Sequence, residues 1–148
     1  MTRSPLFRMP SVILLTAAAL SIATPAAAAD LTITVTGVRS AAGTVRVALF
    51  DSEAAFPDAA KARTPIEARA KAGEVRLVVK GLPPGRYAVA AFHDENANGK
   101  LDRNFMGIPK EGYGFSNDAR GMAGPPKFTA ASFQVGGADR AVSLALDY

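Results

Sequence analysis

Alternation limits the fold of this chain more than any other feature. From Asp30, Leu31, Ile33 and Val35 alternate with Thr32, Thr34 and Thr36, so a strand here turns an apolar face inward and a threonine face to solvent. Val45, Val47 and Leu49 repeat the pattern after the turn "GVRSAAG", which predicts an antiparallel partner across a short loop. Further period-two runs pass through Ile66, Ala68 and Ala70, through Val75, Leu77 and Val79, and through Tyr87, Val89 and Ala91. Phe133 and Val135, then Val142, Leu144 and Leu146, alternate around the turn "GGAD". Helical periodicity is nowhere long enough to compete, although "DSEAAFPDAAKART" permits a short helix over 57–63 with Phe56 turned in to cover a sheet edge. About seven strands at this spacing predict an all-β antiparallel sandwich.

The first 29 residues stand outside that pattern. Arg3 and Arg8 precede an alanine-rich apolar stretch from Val12 to Ala23, and Ala27 and Ala29 follow with the A-x-A spacing of a cleaved secretory signal. A spanning helix needs about 20 strongly apolar residues, and this run is shorter and closed by Pro25, so no membrane span is expected after signal removal. The mature chain is then residues 30–148, 148 − 29 = 119 residues, a single domain expected in the periplasm or outside the cell. Without Arg3 and Arg8 the 17 basic residues become 15 against 13 acidic ones, a balance of +2. The remaining cations are scattered, which argues against nucleic acid as a partner. There is no cysteine, hence no disulfide, no thiolate chemistry and no acylated cysteine anchor.

One segment resists the alternation. Between the strand ending near Phe92 and the one beginning near Ser132, about 40 residues lack a sustained period, far beyond an ordinary connection. Phe105, Met106, Ile108, Tyr113, Phe115 and Phe128 are too large an apolar load for a disordered segment, so an ordered loop is expected. Within it, "DENANGKLD" sets side-chain oxygens at Asp94, Asn96, Asn98 and Asp102, with Gly99 where a tight cation loop needs a positive φ. With the carbonyl of Lys100, these residues form a candidate calcium site of the EF-hand type. Phe105 replaces the closing bidentate glutamate, so binding would be weak. The same asparagines and glycine also build Asx turns without any metal. His93 is the only histidine and lies beside Asp94 at a strand end, which makes it the one candidate acid or base, with Ser116 a nucleophile by loop position alone. Tyr113, Phe115 and Glu111 are candidate ligand-binding residues: exposed, the aromatics could stack on a sugar or a peptide; buried, they cap the open end of the sandwich.

"GLPPGRYAV" resembles the strand-turn-strand signature of transthyretin-like and immunoglobulin-like modules, in which such a tyrosine packs at a sandwich corner. "HDENANGKLD", "GIPKEGYGFSN" and "GPPKF" together resemble a family of small exported bacterial proteins grouped as domain of unknown function 2141. The resemblance runs through His93, Asp94, Asn96, Asn98, Gly99, Leu101 and Asp102, then Gly107, Pro109 and the run from Glu111 to Asn117. It implies that the long loop is the site and carries no activity with it. The resulting expectation is an exported, non-enzymatic binding module for a protein or glycan of the cell envelope, with a calcium loop at 94–102. An enzyme using His93 and a purely structural module with a metal-free cap are the alternatives.

Overall fold

The computed structural model describes residues 27–148. The expected signal segment therefore lies, up to residue 26, outside the described residues. Ala29, expected to leave with the signal, is already in a strand, buried and paired with Leu82.

Eight strands form among the described residues: β1 (Ala29–Val38), β2 (Thr44–Phe50), β3 (Thr64–Arg69), β4 (Gly73–Leu82), β5 (Gly85–Asp94), β6 (Tyr113–Phe115), β7 (Phe133–Val135) and β8 (Arg140–Ala145). They make a sandwich of two sheets, one ordered β4-β1-β8, the other β3-β2-β5-β6 with β7 also on β5. The two short strands share one edge of β5: Ala90 to Phe92 face Phe115 to Tyr113, and Gly85 to Tyr87 face Val135 to Phe133. The strand absent from the sequence reading is β6, whose three residues lie inside the glycine-rich loop.

The expected β1-β2 hairpin does not form. β1 pairs with β4 and β8, whereas β2 pairs with β3 and β5. The turn after Val38 carries the chain from one sheet to the other, so that Leu31, Ile33 and Val35 meet Val45, Val47 and Leu49 face to face in the inner core. As hairpin neighbours they would lie side by side in one sheet and leave that face uncovered. "GGAD" makes the same crossing, and β8 returns parallel to β1, the one departure from an antiparallel fold among the described strands. Tyr87 is buried and its hydroxyl donates to the Pro83 carbonyl at 2.8 Å, tying the corner that "GLPPGRYAV" predicted.

A second, smaller core lies on the outer face of the five-stranded sheet: Ala48 and Phe50 of β2, Ala88 of β5, and Phe128 and Ala131 of the short helix α1 (Phe128–Ala131). The helix expected over 57–63 is only a 3-10 turn, Ala59–Lys61, capped by Asp58. Phe56 covers this outer face rather than a sheet edge, meeting Phe50, Phe115 and Phe128 edge-on at centroid distances of 5.3, 5.7 and 5.9 Å. The cause is local sequence: "VALF" in β2 and "YAVAAF" in β5 are apolar at consecutive positions, so both faces demand cover.

Candidate functional site

The last two residues of β5 point to opposite faces and hold the long loop from both. His93 points inward and is fully buried. Its Nε2 lies 2.7 Å from the Ala42 carbonyl, which can only accept, so Nε2 carries the proton. Its Nδ1 then accepts from the Tyr148 hydroxyl at 2.8 Å, and the oxygen of that hydroxyl accepts from the Arg39 backbone N–H at 3.0 Å. Burial raises the Tyr148 phenol above its ordinary value, more than the Arg39 N–H lowers it, and the Glu95 carboxylate adds to the rise.

Asp94 points outward, yet is also fully buried, because the loop folds over it. Its Oδ1 accepts from the Asn98 N–H at 2.9 Å, and its Oδ2 from the Gly99 N–H at 2.7 Å and from Arg46 Nε at 2.8 Å. Gly99 has φ of 80°, a conformation that favours glycine. Asn96 Oδ1 accepts from the Asn98 N–H and Asn98 Oδ1 from the Lys100 N–H, two successive Asx turns. That fixes both side-chain amides: their nitrogens donate to Asp102 at 2.7 and 2.9 Å. These donors, Asn98 first and then Asn96, hold the Asp102 carboxyl below the ordinary aspartate value. Glu111 is buried and accepts from the Glu95 N–H at 2.9 Å and the Asp102 N–H at 3.0 Å, clamping the two ends of the loop together.

A calcium ion needs six to eight oxygens aimed at one point. Here the amide nitrogens of Asn96 and Asn98, not their oxygens, face Asp102, and the Arg46 guanidinium already lies on Asp94. Among the described residues no three His, Cys, Asp or Glu side chains converge as a metal cluster. The side chains as arranged do not fit the ion; both amides would have to turn for it.

Beside this loop, a groove of about 1080 Å³ runs over the outer face of the five-stranded sheet. Cross-strand register builds its floor: Ala48 stands opposite Ala90 and Ala90 opposite Phe115, while Arg46 stands opposite Phe92 and Phe92 opposite Tyr113. The alanines leave the space, and the aromatics line one side of it, with the Tyr113 and Phe115 rings 6.2 Å apart. Two loops, over 99–109 and 121–125, form the walls. Arg46 spans the end of the floor, bonded to Glu67 at 3.0 Å as well as to Asp94.

Of the residues singled out from sequence, Tyr113, Phe115, Gly99 and Lys100 line the groove. Glu111 and His93 do not; they brace the loop from beneath. Ser116 is buried and tied, accepting from the Val89 N–H at 2.9 Å and donating to the Ala131 carbonyl at 2.5 Å. Sequence reasoning missed Arg46, Ala48, Ala90 and Phe92. The signal for Ala48, Ala90 and Phe92 was the doubled apolar pattern of "VALF" in β2 and "YAVAAF" in β5, in which only the alternate residues had been assigned a face; Arg46 carried no such signal.

No curated protein and no solved structure matches the chain. A family model, described as an uncharacterized protein conserved in bacteria, matches residues 33–143, a span that takes in the braced loop and the whole floor of the groove. On that match over most of its length, the chain belongs to the bacterial family DUF2141.

Proposed function

We propose that this protein is a non-enzymatic binding module of the cell envelope that takes an elongated apolar ligand in the groove. One observation carries the reading: where a solvated sheet face would be polar, the five-stranded sheet presents an alanine floor flanked by Phe92, Tyr113 and Phe115, within a groove of about 1080 Å³. That volume and lining suit a small-molecule site. Arg46 and Glu67, the polar pair at its end, are bonded to each other, so the floor offers little to the hydroxyls of a glycan. Export is carried by residues 1–29, as read from their sequence.

The same observations weigh against acid–base chemistry at His93, since both of its ring nitrogens are engaged and the ring is buried. For the 94–102 loop we prefer a self-bonded turn that sets the groove wall. The calcium reading is its competitor and rests on the spacing of Asp94, Asn96, Asn98 and Asp102.

The test is binding of a neutral apolar fluorophore, N-phenyl-1-naphthylamine, to the native chain and to Ala90→Phe, which fills the floor. The expected result is saturable binding weakened by at least about tenfold, or about 1.4 kcal/mol, in the variant. Equal binding by both proteins would remove the groove from consideration.

A further inference from the structure

Six large apolar side chains stand exposed among the described residues, and four of them, Phe105, Met106, Ile108 and Met122, lie on the two loops that wall the groove. Phe105 is 97 % exposed and Met122 107 %, so these tips touch essentially nothing in the molecule. An exposed apolar group of this size on each of two neighbouring loops marks an interaction surface.

The charge around the tips is predominantly positive. Over 99–110 the loop carries Lys100, Arg103 and Lys110, and over 119–127 its neighbour carries Arg120 and Lys127. Asp102 is the sole acidic residue in either stretch; the amides of Asn98 and Asn96 hold its carboxylate, and Lys110 and Lys100 stand near enough to add to that hold without bonding to it. Arg120 is bonded to Asp147 at 2.5 Å, but Lys100, Arg103, Lys110 and Lys127 form no ion pair among the described residues. Arg103 instead donates to the Gly107 carbonyl at 2.9 Å, stiffening the hairpin that presents Phe105 and Met106.

Apolar tips on loops with an excess of cations complement an interface that is apolar within and anionic at its surface. We propose that the two loops dock the protein on a bilayer bearing anionic headgroups, with Phe105 and Met122 entering the interface and Lys100, Lys110 and Lys127 meeting the headgroups. The docking does not depend on what fills the groove. A protein partner would match the apolar tips equally well but gives no account of the excess of cations on both loops.

The chain contains no tryptophan, so a tryptophan placed at a tip reports its own surroundings. The experiment compares Phe105→Trp with Val78→Trp in the full chain, Val78 being an exposed residue of the opposite sheet. Each is titrated with vesicles of phosphatidylcholine alone and of phosphatidylcholine mixed with phosphatidylglycerol. The emission of Phe105→Trp should shift to the blue on the anionic vesicles only, while that of Val78→Trp stays unchanged. Adding Lys110→Glu and Lys127→Glu to Phe105→Trp should weaken the response by at least about tenfold, since each cation near an anionic surface contributes about 1 kcal/mol. Residues 1–29 are common to every variant and cannot produce a difference between the two tryptophan positions. No shift at position 105, the same shift at 78, or a shift indifferent to lipid charge would each overturn the proposal, the first leaving the tips to a protein partner.

Discussion

The two sheets use the same alternation on the inside and differ on the outside. In the three-stranded sheet the outer positions are Thr32, Thr34 and Thr36 on β1 and Glu74, Arg76, Val78 and Lys80 on β4, polar but for Val78. In the five-stranded sheet the corresponding positions run Arg46, Ala48 and Phe50 on β2 and Arg86, Ala88, Ala90, Phe92 and Asp94 on β5, apolar at the middle of the face and charged at its ends. One apolar face suffices to close a sandwich. A second must be covered, and this molecule covers half of it with Phe56 and Phe128 and leaves the other half as the groove.

The comparison breaks most readily at Phe50, which lies on the outer face but is fully buried. Phe50→Ala should cost about 3–5 kcal/mol, as a deletion from the inner core would. Thr34→Ala, at an outer position of the other sheet, should stay within about 0.5 kcal/mol. Urea unfolding of both variants is the check, and a small loss at Phe50 would mean that the outer cluster is surface rather than core.

A smaller effect is expected where the loop joins the sheet. Asp94→Ala removes the acceptor of two backbone N–H groups and one of the two carboxylates on Arg46, and should cost about 2–3 kcal/mol, discounted for the partly exposed guanidinium. Thermal melting in EDTA and in millimolar calcium should give superimposable curves for the native chain and the same loss for the variant in both. A calcium-specific rise that Asp94→Ala abolishes would restore the metal reading of the loop.

The mildest probe is acid. Asp102 is depressed in the folded chain, so its contribution is present above the unfolded value, near the ordinary 3.8, and is lost as pH falls through the lower, folded value. Loop order should hold through neutral pH and loosen only in acid below 3.8. The side-chain amide resonances of Asn96 and Asn98 should move together as Asp102 titrates, and Asp102→Asn should abolish that movement. Titration of Asp102 at or above its ordinary value would contradict the amide cradle.

Most strands were legible because alternation is a local property: successive side chains point to opposite faces whatever the strand is paired with. Leu31, Ile33 and Val35 declare an inward face before any partner is known. The three residues of β6 were not legible, since Tyr113, Gly114 and Phe115 become a strand only by lying along β5. Tyr113 and Phe115, picked out as aromatics in a glycine-rich loop, line the groove, whereas Glu111, grouped with them, lies buried under the loop.

From residue order alone follow the β-class, the inward faces and the turn-forming character of "DENANGKLD". Sheet membership does not, because β1 and β2 carry equivalent patterns and only the burial of both apolar faces against each other places them in opposite sheets. The bond from Arg46 to Asp94 spans 48 residues. The groove likewise depends on Ala48, Ala90 and Phe115 falling in one row across three strands. Local sterics fix where a side chain points; what it meets there is set by long-range register, which no short stretch of sequence contains.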